Sequence, residues 1–262
     1  MMKSIAGFTL SLLVGTSAFA SVKTETVKYK DGSKELEGFM AYDDAAKSPR
    51  PAVLIVHQWM GLTDHEKKHA KLLAEKGYVA FALDVYGKGV HPKNTDEAAK
   101  ISGQYKEDRK LLRQREMAAY NVLKKDKHVD PSHIVVMGYC FGGMGALELA
   151  RSGEAPLVGV ATFHGALSNP HPEDAKNIKE PVLIMHGAVD PFVKKEEVDA
   201  FLKEMNDAKA DYQFIAYSNA VHAFTQPEAG NDNSKGAAYN EKAYHRSWQA
   251  FSDFLGNVAP VK

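Results

Sequence analysis

Apolar positions along the chain follow two alternating rhythms. Residues 22–29 and 36–42 alternate apolar with polar around Asp31-Gly32, the period-2 pattern of a hairpin at a sheet edge. Residues 52–56 are continuously apolar, as expected of a strand covered on both faces. Further runs at 78–85, 134–138, 158–163, 182–185 and 212–217 read the same way. Helical spacing fills the intervals. The pattern predicts a helix over 64–75, capped by Asp64 and ended by Gly77, and a long charged helix over 107–127. It predicts three more over 142–151, 194–207 and 239–255. Strands that alternate with helices predict an α/β fold, with a mostly parallel central sheet and helices on both faces. No repeat or linker divides residues 21–262, so a single domain is expected. In such sheets the chemistry lies just past the carboxyl ends of the strands.

The first twenty residues do not join this rhythm. Lys3 supplies a positive start, residues 5–14 are apolar, and Ala18-Phe19-Ala20 gives a small-x-small cleavage pattern. A signal peptide over 1–20, cut after Ala20, is expected. The apolar run is shorter than the roughly 20 residues of a spanning helix, and Ser21 stands where bacterial lipidation would need cysteine. The mature chain is therefore expected to be exported, periplasmic and free of a membrane anchor. In the whole chain 33 basic residues balance 33 acidic ones, so no global field favours nucleic acid or an anionic membrane. One cysteine excludes an intramolecular disulfide and a Cys-rich zinc site. No metal or organic cofactor is called for. The expected partner is a small molecule, and the expected assembly a monomer or small homo-oligomer.

Gly138-Tyr139-Cys140-Phe141-Gly142-Gly143 follows one of the buried runs and opens a helix. This is the G-x-S-x-G nucleophile elbow with sulfur in place of oxygen. The turn is so tight that side chains two residues either side of the nucleophile would strike neighbouring backbone. A cysteine at its apex faces a helix N-terminus, whose positive end favours thiolate. Asp190, in His186-Gly187-Ala188-Val189-Asp190-Pro191, and His222, in Val221-His222-Ala223-Phe224, each lie just past a strand. The order Cys…Asp…His is that of α/β-hydrolases. In this reading Cys140 is the nucleophile, His222 its base, and Asp190 the group that fixes the imidazole.

Together with Leu83-Asp84-Val85-Tyr86-Gly87, these segments resemble the dienelactone hydrolase (carboxymethylenebutenolidase-like) family of α/β-hydrolases over essentially the whole mature chain. The resemblance implies an α/β-hydrolase fold, hydrolysis of carboxylic esters or lactones through a Cys140–His222–Asp190 triad, and an oxyanion hole from the backbone N–H groups of Trp59 and Phe141. It also exposes departures. In His57-Gln58-Trp59-Met60-Gly61, Gln58 stands where the best-understood members carry a glutamate that helps activate the thiol, and an amide cannot accept that proton. Lys88 and Gln226 stand where those members hold the substrate carboxylate with two arginines. A small anionic dienelactone is thus a poor match. Substrate contacts are expected from Gln58, Tyr86, Lys88 and Phe224, with an aromatic rim of Trp59, Met60, Tyr86, Tyr139, Phe192 and Phe224.

Two readings of other classes compete. His65-Glu66-Lys67-Lys68-His69 matches H-E-x-x-H, which would make a zinc hydrolase of His65 and His69. Flanking lysines suggest instead a solvated helix face, and no third ligand follows at the expected spacing. Alternatively, Gln58 marks a non-catalytic binding protein on a hydrolase fold. His57 and His164 are expected to shape loops, and Asp84 to anchor the loop leading to Tyr86.

Overall fold

A computed structural model describes residues 21–46 and 48–261. The expected signal peptide therefore lies outside the described residues. An antiparallel hairpin, β1 (Val22–Asp31) and β2 (Lys34–Asp43), forms one edge of an eight-stranded sheet. The remaining strands are β3 (Arg50–Val56), β4 (Val79–Ala82), β5 (Val129–Tyr139), β6 (Gly159–Phe163), β7 (Val182–Gly187) and β8 (Tyr212–Tyr217). Their spatial order is β1-β2-β4-β3-β5-β6-β7-β8, parallel from β4 onward.

Strand periodicity divides the interior into two cores. Ala52, Leu54 and Val56 of β3, with Ile134 and Val136 of β5, face one side. There they meet α3 (Arg109–Leu123), α4 (Phe141–Ser152) and α5 (Lys195–Asp207) through Leu112, Leu147 and Phe201. Val53, Ile55, Val135 and Met137 face the other side. There α1 (Asp64–Glu75) and α6 (Glu241–Val258) cover them with Leu73, Phe251 and Leu255. A run apolar at every position is what a strand packed on both faces requires. The mostly parallel α/β sheet with helices on both faces is thus the observed fold.

Three local expectations are corrected. The long helix over 107–127 is α3, confined to Arg109–Leu123, and a helix that the pattern did not predict, α2 (Thr95–Glu107), capped by Asn94, precedes it. Asp108 ends α2, and its carboxylate accepts the Leu111 N–H to start α3. The strand over 78–85 pairs only as far as Ala82. The cap of α1 is Thr63, not Asp64, in a reciprocal capping box with Glu66.

Candidate active site

β5 delivers Cys140 into a positive-φ turn (φ 54°) between strand and helix. Space dictates the flanking glycines. A Cβ on Gly138 would lie 1.9 Å from the Gly142 carbonyl oxygen, and one on Gly142 would lie 2.2 Å from that of Val56. The Cys140 N–H is tied to the Phe163 carbonyl at 3.1 Å. Behind the sulfur begins α4, and the N–H of its first residue, Phe141, bonds the thiolate form.

The loops after β7 and β8 bring the other two residues to this point. Asp190 is buried; its Oδ1 accepts the Phe192 N–H at 2.9 Å and its Oδ2 meets His222 Nδ1 at 2.7 Å. His222 is held by its backbone on both sides: its N–H donates to Gly236, and its carbonyl accepts the Ala238 N–H. Its ring reaches Cys140, with which it shares a hydrogen bond. Residues separated by 82 positions in the chain therefore form one contiguous line from carboxylate through imidazole to sulfur.

This line sets the charges. Burial pushes the thiol up, but the imidazolium of His222, its hydrogen bond, the Phe141 N–H and the charge of Lys106 together outweigh burial and bring the thiol below its ordinary value. Burial likewise opposes protonation of His222. The Cys140 charge and the Asp190 bond prevail there and raise it to about 10. At neutral pH both effects favour a thiolate–imidazolium pair.

Cys140 and His222 open onto a cavity of about 410 Å³ lined by Gln58, Trp59, Lys106, Phe141, Phe192 and Gln226, among others. The walls are otherwise small or apolar: Ala166, Val193, Ala223, Ala229 and Ala237. The Trp59 N–H has no acceptor among the described residues and lies on the same loop as Gln58. Gln58 turns its Oε1 back to the Met60 N–H at 3.0 Å, which leaves its NH₂ for the cavity.

Several expected contacts are absent from the cavity. Lys88 lies on the far side of its loop, its backbone N–H on the Glu35 carbonyl and its ammonium 3.9 Å from the Glu35 carboxylate. Phe224 is fully buried in the second core, against His164 and Tyr217. Tyr86 is buried beside His57 and Phe141, and its hydroxyl donates to the Trp59 carbonyl at 2.8 Å. Tyr139 is also wholly buried, so of the aromatic rim only Trp59 and Phe192 line the space. The cation that reaches the cavity is Lys106, from the last turn of α2. The sequence pattern predicts no element over residues 95–106, so it does not place Lys106 on a helix beside the site. The Asn94 cap, followed by Asp96 and Glu97, was the available signal.

The remaining candidates have structural partners. His57 donates from Nδ1 to the Gln58 carbonyl (2.7 Å) and accepts the Val85 N–H at Nε2 (3.2 Å). His164, fully buried with φ 42°, sits 5.1 Å from the His222 ring and bonds Thr225 Oγ at 2.8 Å. Asp84 accepts the N–H groups of Tyr86, Gly87 and Glu37, as an anchor should. The H-E-x-x-H segment is not on a solvated face. His69 is buried and stacks on Trp248, while the Glu66 carboxylate is occupied by Thr63 and Gln58. Among the described residues no group of three or more His, Cys, Asp or Glu side chains could hold a metal ion.

A parallel sheet with a strained strand–turn–helix at β5, and acid and histidine on the loops after β7 and β8, defines an α/β-hydrolase. Comparison with known proteins narrows this. The dienelactone hydrolase family model matches residues 36–259. A protein of Aquifex aeolicus, provisionally named a carboxymethylenebutenolidase, is 27% identical over 235 residues, covering 88% of this chain and 97% of its own. The crystal structure of a dienelactone hydrolase-like promiscuous phosphotriesterase from metagenomic libraries superimposes with a TM-score of 0.86 at 37% identity, covering 91% of this chain and 99% of its own. That of a dienelactone hydrolase from Anabaena variabilis shares the fold, with a TM-score of 0.67 at 17% identity, over 91% of this chain and 99% of its own. The chain belongs to the dienelactone hydrolase family and is a hydrolase of carboxylic esters or lactones.

Proposed function

We propose that the chain hydrolyses its substrate by thiol catalysis, with Cys140 as nucleophile, His222 as acid and base, and Asp190 as orienter. The observation that carries this reading is the imidazole bonded at 2.7 Å to a buried carboxylate on one side and hydrogen-bonded to the sulfur on the other, on the floor of a 410 Å³ cavity. The thiolate attacks the acyl carbon, forming an S–C bond, while the carbonyl π pair moves onto oxygen. The Trp59 and Phe141 N–H groups receive that charge, each worth about 3 kcal/mol by comparison with single-donor deletions. Collapse expels the alcohol, protonated by the His222 imidazolium, and leaves a thioester. His222, now neutral, takes a proton from water as the water attacks the thioester, then returns it to the departing sulfur. Cavity walls of Trp59, Phe192 and Val193 suit an apolar or aromatic acyl group, with Gln58 and Gln226 offering hydrogen bonds to its polar atoms.

The experiment is p-nitrophenyl ester turnover by the wild type and Cys140→Ala. Loss of turnover in the variant, inactivation of wild type by iodoacetamide and indifference to EDTA support the proposal. Equal, substantial rates in the two proteins contradict it, and equal, negligible rates favour a binding protein. We further infer that residues 1–20 direct export and are removed after Ala20. A mature N-terminus at Ser21 in periplasmic extract is the expected result.

A further inference from the structure

Glu66, the acid of the H-E-x-x-H segment, lies beneath the loop that carries Trp59. Its side chain is wholly buried, and three donors converge on it. Oε2 accepts the Thr63 N–H at 2.9 Å and the Thr63 hydroxyl at 2.7 Å, while Oε1 accepts the Gln58 N–H at 3.3 Å. Helix capping accounts for the Thr63 bonds. It does not account for the Gln58 bond, which reaches eight residues back, outside the helix. One carboxylate thus ties both ends of the segment 58–63.

Within that segment the Gln58–Trp59 peptide is fixed by its carbonyl oxygen, which accepts from His57 Nδ1 at 2.7 Å and from the Gly61 N–H at 3.0 Å. The N–H of a trans peptide points opposite to its C=O. Anchoring that oxygen on the protein side therefore turns the Trp59 N–H away from it, on a residue that lines the cavity. Tyr86 holds the next carbonyl, that of Trp59. Of these restraints, the Glu66 bond alone fixes the preceding peptide, from which the Gln58–Trp59 plane hangs. A buried carboxyl is expensive to keep, and three donors from one loop are what stabilise it.

We propose that Glu66 is a positioning residue for ester hydrolysis, setting the direction of the Trp59 N–H toward the oxyanion. This rests on the thiol reading above. Glutamine cannot replace it, since its NH₂ would face a backbone N–H, donor against donor, at either Gln58 or Thr63.

Two reagents separate this role from general support of the fold. Iodoacetamide alkylates the sulfur without forming an oxyanion. An aryl trifluoromethyl ketone adds to the sulfur, with the carbonyl π pair moving onto oxygen, and so reads the oxyanion site. In Glu66→Gln the alkylation rate and its pH midpoint should match wild type. Affinity for the ketone and the acylation rate with p-nitrophenyl butyrate should each fall about tenfold to a hundredfold, with KM unchanged. Thr63→Ala, which removes one of the three donors without burying a new group, should show a smaller loss with the same selectivity, and decides the matter should the first variant not fold. Ketone affinity and acylation equal to wild type would overturn the proposal, as would alkylation and ketone binding falling together. Wild-type protein that alkylates but forms no ketone adduct would instead sink the thiol-hydrolase reading.

Discussion

At the residue scale the chemistry depends on charge at one sulfur. Free thiols titrate near 8.5, and Cys140 lies below its ordinary value because His222, Phe141 and Lys106 outweigh burial. The iodoacetamide rate at Cys140 should therefore reach its plateau at a pH lower than a free thiol does. His222→Gln removes the main counter-charge and leaves burial to push the thiol up, so its midpoint should move above that of free cysteine. A midpoint unchanged by this substitution would contradict the ion pair. The pair persists upward until His222 loses its proton at about 10. Lys106 adds a second cation, and no ion pair among the described residues holds it. Lys106→Met should raise the thiol midpoint slightly and increase KM for esters bearing a carboxylate more than for neutral ones. Lys88→Met should change neither, since its ammonium stays with Glu35. The convergence of Cys140, Asp190 and His222 was legible because each lies just past a strand of the parallel sheet. The contrast between Lys88 and Lys106 was not, because proximity in sequence to Tyr86 says nothing of which side of a loop a side chain leaves.

At the element scale, the strand–turn–helix at β5 is where local sequence and global packing agree most tightly. Gly142 faces backbone of the neighbouring strand end, and backbone cannot swing aside as a side chain does. Gly142→Ala should cost about 3 kcal/mol or more of stability and displace Phe141, the proposed oxyanion donor, measurable as a lower unfolding midpoint with loss of ester turnover. An unaltered midpoint would mean the elbow is looser than its geometry. Strand positions were legible because double-sided burial leaves continuous apolar runs. The start of α3 two residues later than expected follows from the Asp108 cap, whereas α2 was not legible as a helix, although Asn94 caps it. The capping box of α1 reads directly from Thr63 and Glu66, three apart. That Glu66 also reaches Gln58 depends on the sharp loop between them, which no periodicity reveals.

At the scale of the molecule, α4 must be held firmly for its N-terminus to face the sulfur. A buried ionic network does this. Arg151 meets Glu204 of α5 through two bonds of 2.9 and 3.0 Å and Glu148 at 3.1 Å, while Arg113 of α3 bonds Glu148 at 3.0 Å. Removing one partner strands the others without water. Arg151→Met should thus destabilise the protein by about 3–5 kcal/mol, seen as a lower melting temperature. A melting temperature equal to wild type would show the network to be dispensable. The alternation that predicts the sheet is a nearest-neighbour property and survives in one sequence. Pairing of Arg151 with a residue 53 positions away is a property of the assembled layers and does not.

The central claim is that Cys140 carries the acyl group during turnover. Intact mass spectrometry of protein quenched within milliseconds of mixing with p-nitrophenyl butyrate tests it most directly. A single butyryl adduct, mapping to Cys140 and absent from Cys140→Ala, is the result expected. Product release at the wild-type rate with no adduct, or an adduct on any other residue, would contradict it.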